Sequence, residues 1–366
     1  MSALARAEGQ PRRRLAYIDW ARGLAVLLMI EAHTVDAWTR TSARRGVVYR
    51  DAIVLGGFAA PLFLWLAGLA VVLAAASAVR LGATRRDAAA GVCRRGLEIF
   101  ILAFLFRLQA FVVSPGGHPI TLFRVDILNI MGPAIVAAGL LWLVAESPRV
   151  LALVYAALAA GVAMAAPLVR TMRVVDRLPI WMQWYVRPAG EYTTFTAFPW
   201  AGFVFAGAAL GVLLSAVQER RHLFHAGMAV AGLALAWLGM YTAARPAIYA
   251  QSSFWTSSPT YFAIRVGVMM TALAALYGLE LTAGRFGLAL PALELFGRRS
   301  LFVYWIHVEL VYGYASWPIR GKLPLWGVGV AYVVFTALMY AAVVMFDRWR
   351  LARLQITLQK RVEAIP

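Results

Sequence analysis

Four polar side chains share one face of the first apolar segment, residues 16–38. Helical residues advance about 100° each, so Asp19, Arg22, His33 and Asp36 fall on one stripe. Arg22 and His33 are eleven residues apart, which separates them by about 16 Å along the axis. Histidine is suited to general-base catalysis, and arginine binds anions. The stripe predicts either a functional cavity or buried polar bonds between helices.

A second group of polar residues lies near the C-terminal end of the chain. Ser300, Tyr304 and His307 recur at helical spacing, and Arg298 and Arg299 directly precede them. A polar face on an apolar helix predicts a cavity wall, and hydrogen bonds between helices explain it equally well. Tyr304, His307 or, from another segment, Asn129 is a candidate donor to a developing oxyanion, and His307 is a second candidate base.

Charged residues also stand inside other apolar segments. Arg124 and Asp126 are placed to pair at one helix end, and Asp126 and Asn129 lie one turn apart, so they can share an inward face. Arg107 and Arg265 are isolated intramembrane charges. Each requires a carboxylate partner or an anionic ligand.

The composition defines the setting for these residues. The chain has 366 residues, of which 62% are hydrophobic, and a single cysteine, Cys93. Long apolar runs recur throughout, which predicts an all-α, polytopic integral membrane protein. One cysteine excludes an intramolecular disulfide and a cysteine-based metal site, and we expect no metal. The net charge of +18 is explained by arginines that flank membrane segments, with no nucleic-acid motif.

About ten segments are apolar enough to span a bilayer. The predicted spans are 16–38, 52–79, 97–114, 125–145, 150–168, 198–217, 226–245, 261–281, 299–316 and 325–346. The arginine distribution predicts that both termini are cytoplasmic. We expect a basic N-terminus over 1–14, one membrane domain over 15–347 and a tail over 348–366. In the long outer loop, 169–197, aromatic residues predict an interface belt or a surface that stacks on a sugar.

Three segments together resemble transmembrane acyltransferases. They are the run from Arg14 to Met29, the run Ala59-Ala60-Pro61-Leu62-Phe63-Leu64-Trp65-Leu66-Ala67-Gly68, and the run from Gly297 to His307. The nearest branch is the bacterial relatives of heparan-α-glucosaminide N-acetyltransferase. The related acyltransferase-3 family has an arginine followed eleven residues later by a histidine, which Arg22 and His33 match. The lysosomal member uses a histidine beyond its first helix, whereas residues 38–51 contain none here.

The resemblance implies a bacterial inner-membrane protein with helices around a central channel. It also implies acyl transfer from cytoplasmic acetyl-CoA, or another acyl-CoA, to an extracytoplasmic glycan or lipid-linked acceptor. His33 would be the general base, with Asp36 to orient it. The donor's phosphates would bind cytoplasmic arginines, with Asp19 beside them; the candidates are Arg22, Arg94, Arg95, Arg298 and Arg299. A homodimer is compatible with the sequence. The alternative is a proton-coupled secondary transporter, although no internal repeat is visible.

Overall fold

The computed structural model describes residues 15–113, 118–217, 220–287 and 289–363. Within these ranges the chain forms α-helices joined by short 3₁₀ turns, with no β-strand. The predicted basic N-terminus, 1–14, lies outside them. The helices are α1 Ala16–Trp38, α2 Val47–Gly56, α3 Ala59–Arg80, α4 Arg85–Val113, α5 Ile127–Leu141, α6 Pro148–Thr171, α7 Ile180–Val186, α8 Ala197–Ala216, α9 Arg221–Ala243, α10 Pro259–Arg285, α11 Pro291–Arg298, α12 Ser300–Tyr312 and α13 Leu325–Glu363.

Seven segments of the described chain are long and apolar enough to cross a membrane: Val47–Arg80, Arg85–Val113, Pro148–Thr171, Ala197–Ala216, Arg221–Ala243, Pro259–Arg285 and Leu325–Arg353. Two shorter apolar helices, α5 and α12, and the charge-bearing α1 accompany them. The prediction of an all-α polytopic membrane protein is confirmed, and the number of ten spans stays a prediction. The last helix runs to Glu363 and crosses the predicted domain boundary at 347.

The helix that contains the third predicted span begins well before that span. The span is predicted from residue 97, whereas α4 begins at Arg85 and is 29 residues long. Arginine and alanine favour helix, so the helix continues through the basic stretch before the apolar run. Cys93 therefore lies within α4 rather than in a loop, packed against Gly139 of α5. Arg94 and Arg95, about 100° apart on that helix, point in different directions.

Glycines bring several helix backbones into direct contact. A Cβ on Gly68 would lie 1.9 Å from the carbonyl oxygen of Val204, so no larger residue fits between α3 and α8. The same holds between α1 and α11, where a Cβ on Gly297 would lie 1.9 Å from the Asp19 carbonyl oxygen. Small residues are how membrane helices approach closely. The second contact fixes the position of Arg298 relative to Arg22.

Helices α1 and α10 run antiparallel. The amide of Tyr17, at the start of α1, donates to Oε2 of Glu280, near the end of α10, over 3.4 Å. Further along, Ala32 of α1 and Arg265 of α10 both lie beside the glycine pair that joins α2 to α3. The residues that follow Tyr17 in α1 therefore lie level with those that precede Glu280 in α10. This relation sets the depth of the polar residues on the two helices.

Candidate active site

A cavity of about 970 Å³ lies among α1–α5, α8, α10, α11 and α12. Arg22 and His33 both line it, as their spacing predicts. It also brings together further residues predicted from the sequence, namely Asp36, Arg95, Arg124, Asp126, Arg265, Arg298, Ser300 and Tyr304. These side chains come from five helices and the segment before α5, so the polar residues singled out in separate parts of the chain line one space.

A second pocket of about 790 Å³ adjoins this cavity at the N-terminal end of α1. We call it the basic mouth. It shares Arg22, Ala70 and Arg298 with the cavity, so the two spaces meet. Asp19 and Arg299 line the basic mouth and not the cavity, and so does Arg350 of α13, which the sequence did not single out as a site residue.

The arginines of the basic mouth lie close to acidic residues. Nη1 of Arg22 lies 3.3 Å from Oδ1 of Asp19, one turn earlier on α1. Arg298 pairs with Glu294 at 3.4 Å. Nε of Arg299 donates to Oδ1 of Asp347 over 2.7 Å. Several guanidinium groups are thus held at one end of the cavity, which is the arrangement that binds multiply charged phosphates.

The central feature of the cavity is a pair of histidines. Nδ1 of His33 lies 2.8 Å from Nε2 of His307, and the ring planes differ by 6°. Nδ1 of His307 lies 2.8 Å from the carbonyl oxygen of Val303, four residues earlier on α12. His307 is fully buried and does not line the cavity, whereas His33 does.

These contacts determine the tautomers of the neutral pair. A carbonyl oxygen only accepts, so Nδ1 of His307 carries the hydrogen and Nε2 of His307 is an acceptor. Nδ1 of His33 must then donate to it, and this leaves Nε2 of His33 with a free lone pair. A neutral imidazole with its other nitrogen held in this way is oriented to take a proton.

Asp36 does not orient His33 directly. Its Oδ2 accepts a hydrogen bond of 2.7 Å from the hydroxyl of Tyr312, whose ring lies 5.6 Å from the His33 ring, edge to face. Its backbone carbonyl accepts from Arg44 over 2.6 Å. His307 therefore has the role predicted for Asp36, because it is the residue that contacts the His33 ring. Asp36 instead fixes the ring of Tyr312. Tyr312 has no outstanding sequence signal, because tyrosine is common at membrane interfaces.

Asp126 pairs with Arg107 and not with Arg124, which corrects the sequence prediction. The Arg107 guanidinium on α4 forms the ion pair, and 12% and 15% of the two side chains are exposed. Arg124 donates instead to Oγ1 of Thr194 over 2.9 Å. Asp126 also caps α5, so its carboxylate is turned towards the helix start and α4.

Asn129, predicted to line the cavity, is used elsewhere. Its side chain completes the α5 capping box by accepting from the Asp126 amide over 3.0 Å, and its Nδ2 lies 3.4 Å from the Tyr185 hydroxyl. Burial raises the pKa of that hydroxyl, on the short helix α7. Trp184, beside it, is buried and stacks on Tyr192. Three of the aromatic residues in the predicted belt, Trp184, Tyr185 and Tyr192, thus pack together over the helix ends.

The remaining predicted residues divide between the cavity and the surface. Ser300 and Tyr304 line the cavity, and the Tyr304 ring centre lies 6.1 Å from that of His307. Arg94 points outward, with 83% of its side chain exposed and an ion pair to Glu98. No cluster of three or more potential metal ligands occurs among the described residues. Arg107, singled out from the sequence as an isolated charge, also lines the cavity, and cavity residues that the sequence did not assign are Glu309, Tyr312 and Arg320.

The fold and cavity define a class, a polytopic α-helical membrane protein with a histidine inside a polar cavity that opens to a cluster of arginines. Residues 14–249 match the catalytic-domain family of heparan-α-glucosaminide N-acetyltransferase, and the chain belongs to this family of membrane acetyltransferases. No individual curated protein matches the chain in sequence. The matched region contains Arg22, His33 and Asp126 and ends before Arg265 and His307.

Proposed function

We propose that the protein transfers an acetyl group from acetyl-CoA to a hydroxyl or amine of a glycan or lipid-linked acceptor, with His33 as the general base. The observation that carries this proposal is the 2.8 Å contact with His307, which leaves Nε2 of His33 free in a cavity that also reaches the basic mouth. Membership of an acetyltransferase family supports the acetyl group as the cargo.

In this proposal the donor enters from the cytoplasm through the basic mouth. Phosphate groups are bound well by several guanidinium groups, and Arg22, Arg298, Arg299 and Arg350 surround that space. Arg22 is eleven residues from His33, about 16 Å along α1. The flexible arm of coenzyme A would cover this distance and bring the thioester to His33. The acceptor would enter from the opposite side of a bacterial inner membrane.

The proposed chemistry is direct transfer. Nε2 of His33 takes a proton from the acceptor's hydroxyl or amine as that group attacks the thioester carbonyl carbon. The tetrahedral intermediate then expels the coenzyme A sulfur as the C–S bond breaks, and the imidazolium returns a proton to the sulfur. Ser300 and Tyr304 are the hydroxyl groups of the cavity wall that we propose as donors to the oxyanion.

The test uses purified protein in nanodiscs with radiolabelled acetyl-CoA and a panel of amino sugars. We expect acetylated product and free coenzyme A in equal amounts, with His33→Ala slowing turnover by about 10²- to 10⁴-fold. Coenzyme A binding to that variant, measured by calorimetry, should remain. His222→Ala is the matched control, because His222 is exposed and does not line the cavity. Normal turnover by the His33 variant would contradict the proposal.

The orientation has its own test. Both termini should be cytoplasmic, so a periplasm-active reporter should stay inactive after residue 366 and become active within 170–190. A periplasmic C-terminus would contradict the proposed route for the donor, because coenzyme A is a cytoplasmic molecule.

A proton-coupled transporter is the second candidate, and the buried histidine pair is the observation that favours it. Such a protein would move a proton with a solute and would leave acetyl-CoA intact. Proteoliposomes loaded with a pH-sensitive dye separate the two functions. Solute-driven proton uptake without release of coenzyme A would support the transporter.

A further inference from the structure

Arg265 is a buried arginine without an ion-pair partner. It lies on α10, 8% of its surface is exposed, and it lines the cavity. Its Cζ lies 4.0 Å from the ring centre of Tyr261 and 5.5 Å from that of Trp200. Within the part of the chain that the structure describes, no carboxylate pairs with it. Nε of Arg265 is buried without a hydrogen-bond partner.

The contrast with Arg107 shows why this matters. Arg107 is equally enclosed, and Asp126 neutralises it. Burying a charge without a counter-charge is strongly unfavourable in protein or membrane interiors, so such residues usually face a ligand or water. Tyr261 and Trp200 hold the guanidinium by cation–π contacts that leave its edge available. Arg265 is therefore arranged as a fixed cation at the cavity wall.

Arg265 lies at the depth of His33. Its position is fifteen residues before Glu280, and His33 is sixteen residues after Tyr17, the two residues that join the antiparallel helices. At about 1.5 Å per residue these separations correspond to about 22 and 24 Å in the same direction. The Gly56-Gly57 pair, which lies between the two helices, supports the same conclusion. A Cβ on Gly57 would lie 3.6 Å from Nη2 of Arg265, and one on the preceding Gly56 would lie 2.7 Å from the Cβ of Ala32.

The surrounding charges favour an anion. Seven arginines line the cavity against three acidic residues. Of those acidic residues, Asp126 is neutralised by Arg107, and Asp36 accepts from Tyr312. Arg124, which is hydrogen-bonded to Thr194, also lines the cavity and adds positive charge.

We propose that Arg265 binds an anionic group of the acceptor, so that the enzyme acts on acceptors with a carboxylate, phosphate or sulfate near the reacting hydroxyl or amine. This inference rests on the proposed function. The donor's phosphates do not compete for this site in that scheme, because they bind about 16 Å away, at the level of Arg22. A guanidinium binds planar or tetrahedral oxyanions through two parallel hydrogen bonds, which also fixes their orientation.

The experiment compares acceptors that differ in one anionic group. The probes are glucosamine, glucosamine 6-phosphate, glucosamine 6-sulfate and muramic acid, which carries a carboxylate. For wild-type protein we expect kcat/KM to be higher for one or more of the anionic sugars than for glucosamine. Arg265→Gln should lower kcat/KM for that anionic acceptor by about 10- to 100-fold and for glucosamine by less than about threefold. The KM for acetyl-CoA should not change.

Two further variants control for the fold and the charge. Arg245→Gln removes an arginine that also lies over a tyrosine, Tyr241, at 4.6 Å, but that does not line the cavity. It should behave as wild type. Arg265→Lys keeps the charge and loses the planar guanidinium, so it should recover only part of the preference. Equal losses with neutral and anionic acceptors, or no preference in the wild type, would overturn the inference.

Direct binding separates this inference from the proposed function. Calorimetric titration with glucosamine 6-phosphate, glucosamine 6-sulfate and muramic acid needs no turnover, and it identifies which anion the site prefers. Binding that Arg265→Gln weakens, in a protein that never releases coenzyme A, would support the anion site and refute the acetyltransferase. Acetylation of glucosamine with no anion binding in the wild type would support the acetyltransferase and refute the anion site.

Discussion

Nδ1 of His33 lies 2.8 Å from Nε2 of His307, although 274 residues separate the two in the chain. His307 is held in turn by the Val303 carbonyl, which lies 2.8 Å from its Nδ1. The Val303 carbonyl oxygen accepts a hydrogen bond from His307, but it is not basic enough to take up a proton. His307 therefore orients His33 and fixes its tautomer. In many hydrolases a carboxylate has this role towards the histidine.

The first prediction concerns His307 as a positioning residue. His307→Gln keeps a polar group near Nδ1 of His33, and His307→Phe removes it. We expect turnover to fall by about tenfold or more with glutamine and further with phenylalanine, while the KM for acetyl-CoA stays constant. The losses for His307→Phe and His33→Ala should not add in the double variant, because the two residues act as one unit. Additive losses would contradict this coupling.

The second prediction separates binding from stability at Arg22. If Arg22 contacts the donor, Arg22→Ala should weaken coenzyme A binding by about 1.5–3 kcal/mol, and Arg22→Lys should recover part of it. If Arg22 serves only its ion pair with Asp19, the alanine variant should melt at a lower temperature and bind normally. Asp19→Asn in the same protein would then restore stability. Calorimetry beside melting curves distinguishes the two roles.

The third prediction concerns the ion pair of Arg107 and Asp126. Arg107→Met leaves a buried carboxylate unpaired, and we expect it to lower the free energy of unfolding by about 3–5 kcal/mol. Adding Asp126→Asn should restore part of that loss, because an amide can still accept the α5 cap bond. Unfolding in detergent, followed by circular dichroism, measures this. If Arg107→Met is as stable as wild type, the ion pair contributes nothing to the free energy of unfolding.

The fourth prediction concerns Gly297, where α11 meets α1. A methyl group there would overlap the Asp19 carbonyl oxygen, so Gly297→Ala should separate the two helices and move Arg298 from Arg22. We expect weaker coenzyme A binding and a lower melting temperature. Gly161→Ala is the matched control, since a Cβ on Gly161 meets no atom within 4 Å. Equal behaviour of the two variants would contradict the importance of this contact.

Local periodicity explains what the sequence could predict. The stripe on α1 was predictable because helical geometry alone places Arg22 and His33 on one side. The apolar runs likewise predicted nearly all the helices. The partner of Asp126 was not predictable, because Arg107 reaches it through packing of α4 on the start of α5. The pairing of His33 with His307 also depends on tertiary packing, so the sequence suggested two alternative bases where the structure has one oriented pair.

The distance along the chain between His33 and His307 has a consequence for how the protein is made. At about 5–20 residues per second, a ribosome needs roughly 15 to 55 s to add the 274 residues between them. Until α12 has been made, α1 carries His33 without its contact to His307. That contact forms only when α12 joins the bundle, so the general base that we propose would be oriented only late in synthesis.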